Sequence, residues 1–333
     1  MKTIIVGIMG RWGNGIYHLV RKFSEIIAVD QNESVYKLTS DEKVIKCVTS
    51  LKDLGGLQSD MMIIAIPGQY FRKFLETNIS FLKVYSEPVA LQMKALELET
   101  GKRLTEIWDE VIETNKRVVI VGPVHSEYLI NEKPVSMVIS SEIENENIVK
   151  IMLRKYKHSS LKLRPQYDVV GVEIGAAAKN PIGIMSGILF TLGYESLIGE
   201  LITRASFEVG RVVSLKGGCS KTVYGLSHLG DYAATVFSPL SHNRQYGEFL
   251  ARRFKTGEEI EWTGGLVEGI DTIKAFWSLV SDNESVEDST ISNSIFPLFR
   301  AIYGVLFQNY NIKEAIQKLR NRSSKEEFWG IKI

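Results

Sequence analysis

The chain has 333 residues, which favours two domains over one very large core. Its 40 basic and 39 acidic residues leave a net charge of +1 with no long basic run, which argues against a nucleic-acid partner. Hydrophobic residues make up 44% and charged residues 24%, as in ordinary globular proteins. The two cysteines, Cys47 and Cys219, form neither a disulfide framework nor a metal-ligand pattern, so we expect a cytoplasmic protein without a metal.

Membrane insertion is not expected from either apolar stretch of the chain. Arg11 interrupts the apolar N-terminus too early for a signal peptide. The apolar stretch after Pro181 is too short and too rich in glycine to span a bilayer.

The first half of the chain alternates short apolar runs with helical patterns. The runs are rich in Val and Ile and end at turn residues, which is typical of buried strands in a parallel sheet. They lie at 2–8, 25–30, 60–67, 84–94, 117–123 and 135–141. We therefore predict an α/β, doubly wound (Rossmann) dinucleotide-binding domain over residues 1–165.

From about residue 168 the apolar pattern takes the period and the length of helices. The predicted helices cover 173–192, 195–215, 244–256, 263–281, 294–309 and 312–320. No strand pattern interrupts them, so we predict an all-helical, substrate-binding domain over residues 166–333.

A glycine turn follows the first predicted strand. In IIVGIMGRWGNG (4–15), Gly10 and Gly13 take the second and third places of the dinucleotide fingerprint, while Ile8 takes the first. Asp30 ends the second predicted strand, twenty residues after Gly10. An acid there can bond the adenosine ribose hydroxyls and repel a 2′-phosphate, so we predict NAD rather than NADP.

A lysine stands inside the apolar stretch GVEIGAAAKNPIGIMSGILF (171–190), where Glu173, Lys179 and Asn180 are the only strongly polar residues. Lys179 either extends its ammonium to the surface or acts on a substrate. Lys94, at the end of the fourth predicted strand, lies where open α/β sheets bind ligands. Two lysines close together would attract an anion, and one of them could act as a general acid or base.

Two further segments are candidates for the site. The stretch GLSHLGDYAATVFSPLSHNRQYGEF (225–249) contains Asp231, Thr235, Asn243 and Arg244, and it is either a site-lining loop or a plain surface connection. Glu268 either caps a helix or contacts the nicotinamide side of a cofactor.

Several motifs occur in the order and at the spacing of one known family. They are GRWGNG (10–15), AIPGQYFRKFL (65–75), MKALELETGKRLTEI (93–107), VGPVHSE (121–127), GVEIGAAAKN (171–180), GLSHLGDYAAT with SPLSHNR (225–244), LVEGIDT (266–272) and IFPLFRAIYGVLF (295–307). Nearly end to end, the chain resembles the NAD(P)-dependent glycerol-3-phosphate dehydrogenases.

The resemblance implies roles for individual residues. Lys179 would be the catalytic proton donor and acceptor, and Lys94 would hold the substrate and its reacting oxygen. The remaining substrate-binding residues would be Asn180, Asp231, Thr235 and Asn243. The cofactor would contact Gly10, Arg11, Trp12, Gly13, Pro67, Ser126 and Glu268, in addition to Asp30.

The chain departs from the family pattern at several positions. Besides Ile8, Ala95 replaces a glycine and Val124 replaces a serine. Pro181 follows the catalytic pair and is expected to kink the helix at Ala177. His242 stands where the family uses an arginine on phosphate, and Arg244 is a candidate to compensate.

Three hypotheses follow from these observations. The first is an NAD-dependent dehydrogenase that interconverts glycerol 3-phosphate and dihydroxyacetone phosphate. The second is a related dehydrogenase for another hydroxy or keto substrate, as His242 and Val124 suggest. The third is a catalytically silent nucleotide-binding homologue. Stereochemistry, physiological direction and oligomeric state stay open, with a homodimer as one option.

Overall fold

The computed structural model describes residues 1–113, 116–281, 291 and 294–321. The strands are β1 (Lys2–Val6), β2 (Glu25–Val29), β3 (Val44–Val48), β4 (Met61–Ile64), β5 (Val89–Leu91), β6 (Arg117–Val121), β7 (Val135–Ser140) and β8 (Leu161–Gln166). The helices are α1 (Arg11–Val20), α2 (Phe71–Thr77), α3 (Ile79–Val84), α4 (Leu104–Val111), α5 (Ser126–Ile130), α6 (Glu146–Lys155), α7 (Val169–Leu192), α8 (Ile198–Leu215), α9 (Asp231–Val236), α10 (His242–Thr256), α11 (Glu268–Ser281), α12 (Pro297–Phe307) and α13 (Ile312–Arg320).

The contacts group the chain into two compact units. One, the sheet unit, contains residues 1–95 and 102–173. The other, the helical unit, contains residues 96–101 and the chain from Ile174 onward.

All eight strands belong to one sheet, in the order β3-β2-β1-β4-β5-β6-β7-β8. Neighbouring strands from β3 to β6 are parallel, as the sequence predicts for this half of the chain. The predicted strand at 135–141 is present as β7, which runs parallel to β8 but antiparallel to β6, so the expectation of a fully parallel sheet is wrong at this one pairing. The connection from β6 to β7 contains only the five-residue α5, and an antiparallel neighbour needs no long crossover helix.

Helices cover both faces of the sheet, because successive strand residues point to opposite faces. Ile5 of β1 packs with the apolar side chains of α1, α5 and α6, whereas Ile4 and Val6 pack with those of α2, α3 and α4. Two apolar layers therefore enclose the sheet, and the prediction of a doubly wound domain is confirmed.

Two strands of the sheet are absent from the sequence prediction. They are β3 and β8, and they form the two edges. In β8 (LKLRPQ) the buried Leu161 and Leu163 alternate with exposed residues, and β3 contains the exposed Lys46. Edge strands are half solvated and carry charges, so they lack the continuous apolar run by which the central strands are found.

The helical unit contains no strand among its described residues, as the sequence predicts. Its first long helix, α7, continues through Pro181. A single π-helical turn, Leu226–Gly230, leads directly into α9. Within the described ranges, none of the helices has both the length and the apolar character that a bilayer span requires.

Candidate active site

The turn after β1 has a backbone conformation that strongly favours glycine. Gly7 has φ +80°, and its N–H donates to the Val29 carbonyl at 2.9 Å. A Cβ atom on Gly13 would lie 2.0 Å from the carbonyl oxygen of Gly7. The missing side chain at Gly13 therefore allows α1 to start directly against the turn.

The start of α1 has the properties of an anion site. Gly10 precedes the helix without any side-chain cap, and the first turn contains no acidic residue. Free N–H groups and the positive end of the helix dipole favour a phosphate group at such a position. The turn thus fits the diphosphate of a dinucleotide.

Asp30 lies next to this turn, at the carboxyl end of β2. One carboxylate oxygen accepts the Met9 N–H at 2.9 Å, and the other accepts the Asn32 N–H at 3.0 Å. Each oxygen keeps a second lone pair, so the carboxylate can also accept hydroxyl groups from a ribose.

The other predicted cofactor residues of the sheet unit surround the same turn. Arg11 and Trp12 begin α1, where Arg11 is ion-paired with Glu127 and Trp12 packs against the apolar layer. Ser126 is buried against α1, since a Cβ atom on Gly15 would lie 3.0 Å from its Cβ. Pro67 precedes the single 3-10 turn that follows β4.

Lys94 lies three residues beyond β5. Its Nζ donates to the carbonyl oxygen of Gly122, directly after β6, at 2.7 Å. A Cβ atom on Gly122 would lie 2.9 Å from the Cα of Met137, so glycine is required at this position. The hydrogen bond places the ammonium group at the carboxyl edge of the sheet, as the sequence predicts.

Lys179 is the least buried residue of a stretch that is otherwise entirely buried, from residue 171 to 189. Its Nζ lies 3.7 Å from Oδ1 of Asp231 in α9, and the two side chains are 14% and 2% exposed. A buried carboxylate, rather than bulk solvent, thus neighbours the ammonium. The surface-directed interpretation of Lys179 does not describe this arrangement.

Glu173, the other charged residue of the apolar stretch, has a structural role. It accepts hydrogen bonds from the Thr105 N–H and from Nη1 of Arg103, both at 3.0 Å. Burial raises the pKa of Glu173, and these partners act against that shift. The carboxylate thereby satisfies donors at the start of α4.

Three predicted residues of the helical unit are connected by their side chains. Nδ2 of Asn243 donates to Oδ1 of Asn180 at 3.0 Å, and Nδ2 of Asn180 lies 3.4 Å from Oε2 of Glu268. Oδ1 of Asn243 accepts the N–H of Gly269 at 2.9 Å. Asn243 thus links Asn180, the residue after Lys179, to the first turn of α11, which begins at Glu268.

Thr235 lies on the same helix as Asp231, one turn further on. It is 1% exposed, and its Oγ1 forms no hydrogen bond. A buried hydroxyl group without a partner is uncommon, which suggests an acceptor or donor that a bound molecule supplies.

The structure separates His242 from Arg244. His242 is the first residue of α10, next to Asn243. Arg244 stacks on Phe190 at 4.1 Å and pairs with Glu248 at 3.0 Å. Residues two apart on a helix point about 200° away from each other, so the two side chains cannot serve one anion from the same face.

Two family profiles match the chain, and together they cover most of it. The one described as the N-terminus of NAD-dependent glycerol-3-phosphate dehydrogenase matches residues 7–147. The one described as its C-terminus matches residues 168–317. The chain belongs to the NAD-dependent glycerol-3-phosphate dehydrogenase family.

Named relatives are similar over nearly the whole chain. A glycerol-3-phosphate dehydrogenase (NAD(P)+) of Thermotoga sp. is 30% identical over 91% of this chain and 85% of its own length. One of Clostridium botulinum is 30% identical over 98% of this chain and 96% of its own. The glycerol-3-phosphate dehydrogenase structure from Coxiella burnetii, at 22% identity, shares the fold with a TM-score of 0.82 over 96% of this chain and 99% of that one.

For this family member, the predicted residues fall into two sets. Gly10, Gly13, Asp30 and Lys94 lie at the carboxyl edge of the sheet unit. In the helical unit, Lys179 pairs with Asp231, and Asn180, the residue after Lys179, is hydrogen-bonded to Asn243. Within the described ranges, no three His, Cys, Asp or Glu side chains lie together as a metal would need.

Proposed function

We propose that this chain interconverts glycerol 3-phosphate and dihydroxyacetone phosphate, with NAD(H) as the hydride carrier. The observation that carries the proposal is the buried pair of Lys179 and Asp231, in a chain of this family whose next residue, Asn180, is hydrogen-bonded to Asn243. The glycine turn with Asp30 supports the choice of cofactor.

The reaction requires a hydride at carbon 2 and a proton on the attached oxygen. When bound, the reduced nicotinamide supplies the hydride, and its oxidised form accepts one in the reverse direction. In the direction of reduction, the Lys179 ammonium gives its proton to the oxygen as the C=O bond becomes C–O. In oxidation the neutral amine takes that proton back.

Each neighbouring residue supports this proton transfer in its own way. The Asp231 carboxylate favours the charged form of the ammonium and directs it. Lys94 is proposed to hold the substrate anion and polarise the carbonyl. Asn180, Asn243 and the unpartnered hydroxyl of Thr235 would bind the hydroxyl and carbonyl oxygens of the substrate.

The start of α10 is the proposed phosphate anchor of the helical unit. His242 and Asn243 are its first residues, and Ser241 caps it by accepting the Arg244 N–H at 3.3 Å. A helix N-terminus and one imidazole together bind a phosphate more weakly than an arginine would. Because Arg244 is engaged with Phe190 and Glu248, we assign it no direct part in phosphate binding.

A panel of phosphorylated and free ketoses, assayed with NADH by the loss of absorbance, tests the proposal. Dihydroxyacetone phosphate should be the preferred substrate. Preference for an unphosphorylated ketone or keto acid would favour the second hypothesis, which His242 supports. No turnover of any substrate, with NADH still bound, would favour a silent homologue.

The variant His242→Arg tests the phosphate anchor. A guanidinium can make two charged hydrogen bonds to phosphate where one imidazole makes one. The KM for dihydroxyacetone phosphate should therefore fall roughly tenfold, the equivalent of about 1.4 kcal/mol. The control is His158→Arg, which makes the same substitution at an exposed position of the sheet unit. An unchanged KM in His242→Arg would remove residue 242 from the phosphate site.

The variant Asp30→Asn tests the choice of NAD. The amide keeps one acceptor oxygen for the backbone but removes the charge that opposes a 2′-phosphate. The ratio of kcat/KM for NADPH to that for NADH should rise roughly tenfold at constant ionic strength. Glu33→Gln, an exposed acid just beyond β2, is the matched control. Equal use of both cofactors by the parent enzyme would contradict the prediction.

We also propose a cytoplasmic location and a homodimeric assembly. The two cysteines, Cys47 and Cys219, are not joined in a disulfide, which agrees with a reducing compartment. Light scattering on the purified chain would test the homodimer directly.

A further inference from the structure

One face of α7 carries two glycines on either side of the catalytic lysine. Gly175, Lys179 and Gly183 are spaced four residues apart, so they lie along one side of the helix. The element opposite this face is residues 226–236, the π-helical turn followed by α9, which we call the Asp231 segment. π-helical turns are rare in proteins, and a large share of those that do occur lie at functional sites.

The Asp231 segment touches α7 on both sides of Lys179. A Cβ atom on Gly175 would lie 1.9 Å from Cε1 of His228, so the imidazole lies directly on the glycine. A Cβ atom on Gly183 would lie 3.1 Å from Cγ2 of Thr235. Asp231 stands between these two contacts in the sequence, as Lys179 does between the two glycines.

The His228 ring contributes its shape rather than a charge. It is fully buried, and burial lowers its pKa to about 3, so the ring is neutral at any working pH. Its Nδ1 lies 3.0 Å from the Ser227 hydroxyl, while its Nε2 has no hydrogen-bond partner. The contact with Gly175 is therefore the main interaction that the imidazole offers to α7.

We propose that His228 is a positioning residue, whose ring on Gly175 sets the placement of Asp231 against Lys179. This proposal rests on the proposed function, in which Lys179 is the proton donor. The distance of 3.7 Å from Nζ of Lys179 to Oδ1 of Asp231 is longer than a direct charged hydrogen bond. The strength of the ion pair therefore depends on the position of the Asp231 segment relative to α7.

The consequence is electrostatic. A carboxylate beside an ammonium stabilises its positive charge, and displacing Asp231 removes that stabilisation from Lys179. Among the described residues, the charged or titratable side chains near this face include Asp231 and Tyr232 of α9 and Glu268 of α11, which touches Asn180. They also include the neutral His228 of the π-helical turn, whose ring centroid lies 6.1 Å from that of Tyr232. Asp231 is the one that forms an ion pair with Lys179 among the described residues.

The kinetic experiment is a double-mutant cycle. His228→Ala removes the ring, and Gly175→Ala places a methyl group where the ring lies. Each single variant should lower kcat roughly 10- to 100-fold and move the alkaline limb of its pH profile to lower pH. The double variant should recover part of the kcat that Gly175→Ala loses, because the new methyl group then fills the vacated space. Leu229→Ala, at an exposed position of the same turn, should change neither quantity.

A chemical measurement follows Lys179 without substrate. Competitive labelling of amines with acetic anhydride across a pH series, read by mass spectrometry, reports the titration of Lys179 in each variant. In His228→Ala the labelling midpoint of Lys179 should shift to lower pH. If the labelling midpoint of Lys179 shifts in His228→Ala while the parent turns over no substrate, the result would support the positioning role and reject the proposed function.

His228→Phe keeps an aromatic ring on Gly175 and provides a second variant should His228→Ala fold poorly. The kcat of His228→Phe should stay within a few-fold of the parent value. The pH midpoint of Lys179 labelling should stay close to that of the parent. Two results would overturn the proposal. One is a His228→Ala variant in which Tm falls, while the pH profile of kcat and the labelling midpoint of Lys179 stay as in the parent. The other is a folded His228→Phe with a kcat loss as large as that of the alanine variant.

Discussion

Replacing Lys179 by alanine should lower kcat roughly 10²- to 10⁴-fold, the usual effect of removing a general acid. The lysine is held against Asp231, with its Nζ 3.7 Å from the carboxylate, in an otherwise buried stretch of α7. The affinity for NADH should stay nearly unchanged, because the glycine turn belongs to the sheet unit. Steady-state kinetics with dihydroxyacetone phosphate and titration of NADH fluorescence measure the two effects.

Removal of Lys179 also leaves a buried carboxylate without its counter-ion, which can destabilise the fold. Lys179→Arg separates the two effects, since a guanidinium keeps the charge opposite Asp231 but does not release a proton at working pH. It should fold like the parent and still lose turnover. Lys216→Ala, at an exposed position after α8, is the matched control. Activity within a few-fold of the parent in both Lys179 variants would make the lysine structural only.

The variant Gly13→Ala should remove most of the NADH affinity. The new Cβ would lie 2.0 Å from the oxygen and 2.7 Å from the carbon of the Gly7 carbonyl, and both are backbone atoms that cannot rotate away. Helix α1 and the turn must therefore move apart, at a cost of about 1–3 kcal/mol for overpacking. The N–H groups that would hold the diphosphate move with the helix, so Kd for NADH should rise roughly tenfold or more.

Gly56→Ala provides the control for Gly13→Ala. It makes the same substitution in the same unit, at an exposed glycine that has nothing within 4 Å of a new Cβ. Calorimetric titration with NADH and the Tm of both variants are the measurements. If Gly13→Ala binds NADH as tightly as Gly56→Ala does, the turn after β1 is not the diphosphate site.

The central part of the sheet could be predicted from sequence because its strands are buried on both faces. Runs such as MMII and RVVIV are apolar or buried throughout, so a short continuous pattern marks each of them. The edge strands β3 and β8 have only one buried face and carry charged residues, so they lack that pattern. The direction of β7 could not be predicted either, because the residues of a strand do not record which way its neighbour runs.

The candidate site was partly predictable for a similar reason. Glycines, Asp30 and Lys94 follow strands, and the carboxyl ends of parallel strands meet at one edge of a sheet. The partners of Lys179 were not predictable from spacing, since Asp231 is 52 residues away in the sequence and reaches it through packing. The family resemblance implied a substrate-binding role for Asp231, but neither it nor the spacing indicated the contact of His228 with Gly175.

The sequence by itself determined the class of the protein. Local rules of burial period and turn chemistry, with the order of the motifs, establish a dinucleotide-binding half, a helical half and a lysine that needs a partner. Only the tertiary structure decided which groups meet. The helical phase turns Arg244 toward Phe190 and away from His242, and glycines on α7 bring the Asp231 segment within contact of Lys179. Such contacts arise from close packing between elements that are far apart in the sequence. A local sequence pattern does not indicate which distant elements pack together.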